Sequence, residues 1–347
     1  MKLRDTLKAV VRRDRLVALL ALIVGVASLG SPVRAATLPI CLTSITQCCQ
    51  ITSPGRYTLE TSITETASQD CIDVVAPYVQ LNLGSFQMSG NASDTGVHVL
   101  ASANHFLMVG APATITTFNV AIQNDAPNVI MFRLNLPENN TGVINNGPKA
   151  NYESINQSLG TKGFVNNAAT NLAITLSEFT GNVTLGIQLY NTSNALLQNV
   201  QANQNAATGI KIVGGGANSL AFITVDNDAL YGLWVKESSN NALSSVVATT
   251  DGTGIYFGCS TSGAPDDTPC PTPGRNNRFL GTTNVSLNTK DGIAVDLGEL
   301  GDQLWSITAA NSGTFDAQDE NPNCGNNFWV SVIATTVSPP CVSAIQP

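Results

Sequence analysis

GIKIVGGGAN, residues 209–218, places three consecutive glycines after a short apolar alternation. Such a run can cradle a phosphate or form a tight turn. A phosphate loop needs a strand feeding a helix whose N-terminus meets the anion, often with Lys-Ser/Thr after the glycines. Here Ala217-Asn218 and another apolar alternation follow, so the glycines read as a turn between strands. Three relatives of the stretch carry the argument: GIQLYNTSN from Gly186, GLWVKESSNN from Gly232 and GIYFGCS from Gly254. Each begins Gly, apolar, variable, apolar, the pattern of a short strand with one buried face. Asn-Thr-Ser and Glu-Ser-Ser fill the slot that Gly214, Gly215 and Gly216 occupy, as expected of a turn.

The starting glycines are 23, 23 and 22 residues apart. The register runs back through GFVNN at Gly163, GVINN at Gly142, AIQND at Ala121 and GVHVL at Gly96, and forward to GIAVDLG at Gly292. The last gap is 38 residues, because an insertion carrying Cys259 and Cys270 interrupts it. Asn171, Asn194, Asn218, Asn241 and Asn277 each precede a new apolar stretch. Another column, Asn182, Asn205, Asp228, Thr250 and Asn288, lies four residues before each glycine. Asparagine tolerates left-handed backbone and its amide bonds both neighbours in a stack. A period of this length with short strands predicts a solenoid.

The repeats resemble those of right-handed parallel β-helix proteins, the pectate-lyase-like superfamily. ITSPGRYTLETSIT with CIDVVAPYVQLNLGSFQMSG is similar to the opening of secreted members, and NPNCGNNFWVSVIATT to their closing segment. The resemblance implies an all-β, right-handed parallel β-helix of about nine or more coils, with disulfide-tied caps over its open ends. The boundaries read as a signal peptide at 1–36, an N-terminal cap at 37–75, the β-helix at 76–320 with a loop insertion at 259–275, and a C-terminal cap at 321–347.

The signal assignment rests on a basic start, the apolar run LVALLALIVGVASLG and the small-x-small site Val33-Arg34-Ala35. The apolar run is too short to span a membrane, which predicts export to the periplasm or beyond and no membrane span after cleavage. The segment holds seven of the chain's 16 basic and two of its 24 acidic residues, leaving nine against 22. That surplus of acid repels phosphate backbones and excludes nucleic acid as a partner. All eight cysteines follow the signal, so they read as disulfides. Proximity suggests Cys259–Cys270 and Cys324–Cys341, while Cys41, Cys48, Cys49 and Cys71 can pair among themselves in three ways. With two histidines and no C-x-x-C, the sequence offers no protein metal site of the zinc type.

Candidate chemistry must lie on side chains pointing out of the coils. The third position of the repeat strand is expected to point outward, aligning Gln188, Lys211, Trp234, Tyr256 and Ala294. Trp234 and Tyr256, with Lys211 and Lys236 beside them, form a candidate sugar platform, since proteins hold sugar rings on aromatic faces flanked by polar groups. Asp226, Asp228 and Asp251 are candidate catalytic carboxylates, because adjacent coils can supply the separation glycosidases need. Asp228 and Asp251 also fit as turn residues. NTKDGIAVD, residues 288–296, resembles part of the polygalacturonase motif, but Lys290 is inserted and no later G-H-G or R-I-K follows. If an enzyme, the chain reads as a polysaccharide lyase or glycoside hydrolase, and a lyase would imply calcium. The expected partner is an extracellular polysaccharide, met by a monomer. The alternative is a non-catalytic surface or adhesion solenoid.

Overall fold

The computed structural model describes residues 38–66, 69–259, 272–339 and 341–342. The expected signal peptide and residues 260–271 of the insertion, Cys270 among them, lie outside the described residues. The chain winds as a parallel β-helix of the pectate-lyase-like type, built from a 13-stranded and a 17-stranded sheet. Every strand pairing is parallel. A single-turn 3₁₀ segment, Pro322–Cys324, is the one helical piece among the described residues.

The Gly-apolar-x-apolar stretches form the 13-stranded sheet. Ile187, Ile210, Leu233, Ile255 and Ile293 stack in register and are buried. Branched side chains in line down a parallel stack give a continuous apolar interior. The following strand of each coil bends once, at a left-handed residue: Arg133, Ser154, Leu176, Asn199, Phe222 and Ser245 all have φ between 50° and 58°. That bend lets one strand serve both arms of the 17-stranded sheet.

The turns are held by buried polar ladders. In the turn entering the 13-stranded sheet, the backbone N–H of Asn182 donates to Asn205 Oδ1 (3.1 Å), Asn205 to Asp228 (2.7 Å), Asp228 to Asp251 (2.8 Å) and Asp251 to Asn288 (2.9 Å). Leaving that sheet, Asn124, Asn145, Asn166 and Thr192 are linked side chain to side chain at 2.6–2.7 Å. A third ladder runs from Asn218 through Asn241, Asn277 and Asp302 to Asn327. Each link satisfies a backbone or side-chain group that the interior would otherwise leave unpaired.

Two sequence expectations shift by one residue. Asp251, not Thr250, fills the first ladder, because that coil is 22 residues long; Thr250 takes the preceding left-handed position, φ 57°. Asn171 and Asn194 likewise hold left-handed backbone, φ 55° and 58°, and the third ladder begins one residue later in the coil. The glycine run is a turn. Gly214 and Gly215 have φ 66° and 70°, and Gly216 bridges Ser193 and Ser239 of the neighbouring coils.

Cys324–Cys341 forms as expected, and the N-terminal pairs are Cys41–Cys49 and Cys48–Cys71. Cys259 is disulfide-bonded, with the expected partner Cys270 outside the described residues. No helix among the described residues is long and apolar enough to cross a membrane.

Candidate functional site

Parallel pairing without slippage sets one residue per coil in a straight outward row on the 13-stranded sheet. From Gln188 the row runs to Lys211, Trp234, Tyr256 and Ala294, as the sequence suggests. The position is outward but the expected exposure is absent. Trp234 is 5% and Tyr256 0% exposed. They pack with Tyr231 and Ala294 in a small second apolar cluster outside the main core. Tyr231 stacks on Tyr256 with centroids 4.9 Å apart. The indole Nε1 donates to the Gly258 carbonyl (2.7 Å), and the Tyr256 hydroxyl donates to the Asp296 carboxylate. As found, these rings hold one another rather than offering bare faces to a sugar, which corrects the open-platform expectation.

The lysines beside them are accessible. Lys211 Nζ sits 3.9 Å from the centroid of the Trp234 ring and Lys236 Nζ 5.8 Å from it, a cation–π arrangement. Lys211 is half-buried; desolvation first, then the charge of Lys236, holds its pKa below the usual lysine value. Among the described residues no carboxylate lies within salt-bridge reach of either lysine.

The candidate carboxylates do not assemble into an acid pair. Asp228 and Asp251 are 1% exposed and serve the first ladder, each accepting a backbone N–H through Oδ1. Burial, reinforced for each by neighbouring aspartates, pushes them up to about 8 and about 9, so both are protonated at neutral pH. They act as asparagine substitutes and are out of reach of an external substrate. Asp226 faces outward and accepts the hydroxyls of Thr249 (2.8 Å) and Thr250.

Followed toward the N-terminus, the same row reaches a cluster that sequence reading passed over. Asp73, His98 and Gln123 are in register on successive coils. His98 Nδ1 lies 3.2 Å from Asp70 Oδ2, and Nε2 lies 2.8 Å from Asp125 Oδ2. Gln123 Nε2 and Asn146 Nδ2 also donate to Asp125, at 3.1 and 2.6 Å. An acceptor at each ring nitrogen holds His98 as imidazolium. The hydrogen bond to Asp70 dominates, Asp125 adds to it against desolvation, and the pKa rises to about 9. Asp70 and Asp125 are correspondingly held below the usual carboxylate value, their bonds outweighing burial, whereas burial and the charge of Asp70 push Asp73 up. The signal was available: His98 is the third residue of GVHVL, the same repeat position as Lys211. Asp70, Asp73 and His98 bring atoms of metal-ligand type close together, but as an imidazolium His98 has no lone pair to give an ion.

A family model described as a right handed beta helix region matches residues 137–296. No curated protein matches the chain by sequence. Among solved structures, the catalytic unit of a GH87 alpha-1,3-glucanase from Streptomyces thermodiastaticus is similar, with a TM-score of 0.61 at 13% identity over 86% of this chain and 65% of the glucanase unit. Pectate lyase Pel9A is similar with a TM-score of 0.52 at 13% identity, over 72% of this chain and 74% of the lyase. The Dettilon tailspike protein also aligns with a TM-score of 0.52, at 11% identity over 74% of this chain and 55% of its own. At these identities the likeness is one of fold.

Proposed function

We propose that this chain is an exported β-helix protein that binds extracellular polysaccharide along the outward row of its 13-stranded sheet. The observation that carries the reading is the pair Lys211 and Lys236. Two cations share the Trp234 ring on a strongly acidic protein, with no carboxylate of the described residues within salt-bridge reach. The desolvated ammonium of Lys211 gains more from an arriving anion than from water, so acid-bearing glycans such as uronates fit best. Trp234 and Tyr256 then fix the lysines rather than stack on the sugar. Disulfides near both ends suit an oxidising compartment. Solved neighbours with this fold include a pectate lyase and a glucanase, which supports a glycan partner.

A second reading adds chemistry at the other end of the row. His98 is a partly exposed imidazolium held between carboxylates, and such a group can donate a proton to a leaving oxygen. The test for both is one panel: the purified mature protein against acidic and neutral polysaccharides, with and without calcium. Binding with no new products supports the first reading alone. Reducing ends or unsaturated products that disappear in His98→Asn support the second. Retention that is unchanged in Lys211→Ala/Lys236→Ala refutes the first.

A further inference from the structure

The other sheet carries a groove that none of the foregoing uses. On its outward side near the N-terminal coils lie two adjoining depressions. One, about 360 Å³, is lined by Arg56, Thr58, Gln80, Asn82, Leu107 and Val109; the other, about 510 Å³, by Ala111, Pro112, Arg133, Asn135, Ser154 and Asn156, with Leu134 at its floor. They meet along the strand Leu107–Thr116, whose residues line both.

That strand is built irregularly at this place. Val109 pairs with Phe132 and Ala113 with Leu134, so Gly110, Ala111 and Pro112 stand opposite Arg133 alone. The extra residues bulge outward and wall the larger depression. Gly110 is required there, since a Cβ would sit 2.2 Å from the Arg133 carbonyl. Bulges that break a regular ladder commonly re-aim side chains beside functional sites. Here the bulge faces the left-handed Arg133, φ 58°, whose side chain is exposed. Beyond the smaller depression, at the start of the strands that line it, exposed Tyr78 stacks on His105 with centroids 5.0 Å apart.

The charge distribution selects the occupant. Neither depression is lined by a carboxylate, on a chain whose 22 acidic residues after the signal outnumber its basic ones. Glu153 borders the row beside Phe132 but lines neither. Arg56 and Arg133 have no carboxylate within salt-bridge reach among the described residues. Between them the coils present amides and hydroxyls, and one coil step is about 4.8 Å. Guanidinium groups pair with carboxylates in bidentate fashion, amides and hydroxyls with sugar hydroxyls, and an exposed aromatic stack with a sugar face. We infer that this face is a second polysaccharide-binding groove, running across successive coils and taking a linear chain that bears carboxylates. It stands independently of the Lys211 site, on the other sheet.

Affinity electrophoresis in gels cast with polygalacturonate, with neutral dextran gels as the control, tests it. Four proteins are compared: the parent, Arg56→Ala/Arg133→Ala, Lys211→Ala/Lys236→Ala and the quadruple variant. All four positions are at the surface, and thermal melting checks that the fold is kept. The parent should be retarded by polygalacturonate and not by dextran, and Arg56→Ala/Arg133→Ala should bind about tenfold more weakly. The Lys211→Ala/Lys236→Ala protein should keep only part of the parent's retardation, the quadruple variant should lose that remainder, and Tyr78→Ala should weaken binding further. Equal retardation with and without Arg56 and Arg133, in either background, overturns the groove while leaving the lysine site standing. Equal retardation of the parent in dextran, or none in polygalacturonate, overturns the acidic ligand.

Discussion

Replacing Asp228 by asparagine should stabilise the protein, and by an amount that depends on pH in a defined way. In the unfolded chain this carboxyl ionises near 3.9. In the folded ladder it holds its proton up to about 8, mainly because it is buried and partly because Asp226 lies close. The native state therefore binds more protons than the unfolded state between those values, and stability falls as pH rises through that window. At pH 7 the gap of roughly three units corresponds to a ceiling of about 4 kcal/mol. Asparagine keeps the Oδ1 acceptor for the Asn205 N–H, at 2.7 Å in the parent, and its Nδ2 supplies the donor that the acid must retain a proton to provide. Asn205 and Asn288 show the alternative, with Nδ2 donating to the carbonyls of Phe179 and Ala248. Thermal melts of parent and Asp228→Asn at pH 3, 5, 7 and 9 should coincide at pH 3 and separate in favour of asparagine up to about pH 8. Above that the separation should stay constant. A separation independent of pH, or a less stable variant at pH 7, would refute the assignment of a neutral acid in the ladder.

Three other outcomes follow from the geometry of the coils. The His98 imidazole protons should titrate near 9 by NMR rather than near 6.5, and Asp70→Asn should bring the midpoint down. Gly215→Ala should cost about 1–3 kcal/mol in a thermal or urea melt, since φ is 70° and the added Cβ would meet the Thr192 carbonyl at 2.1 Å. Replacing Cys48 and Cys71 by serine opens a loop of 23 residues, and the loss of about 3.5 kcal/mol from chain entropy should appear as a lowered midpoint under oxidising conditions only.

The repeat was legible because each Gly-apolar-x-apolar stretch encodes both a strand and its phase. One glycine position fixes which side chains enter the core from Val97 to Ile293. Three things were not legible. The slip from Thr250 to Asp251 follows from a coil one residue short, and only the hydrogen bonds show which of two adjacent polar residues turns inward. Burial of Trp234 and Tyr256 depends on contacts across coils, Tyr231 stacked on Tyr256 and Trp234 bonded to Gly258, and alternation within one strand carries no such information. The bulge at Gly110–Pro112 lengthens its coil, which runs 25 residues from Gly96 to Ala121 against 21 for the next, but the spacing does not say where in the coil the extra residues lie. His98 is the opposite case. Its repeat position placed it in the row, and its partners Asp70 and Asp125 are each contributed by a different coil.

The in-register stacking of Gln188 on Lys211 and of Asn182 on Asn205 also makes the coil a unit of exchange. Excising Gly186–Thr208 would join Leu185 to Gly209, removing one full 23-residue winding with its strand in each sheet and one rung from the ladders it crosses. Asn182 would then meet Asp228, the next rung, in the same geometry. Molecular length here is a discrete variable, so the distance between the His98 cluster and the Lys211 pair could be reset in steps of about 4.8 Å. A glycan bridging the two would measure that step directly, as a ruler graduated in coils.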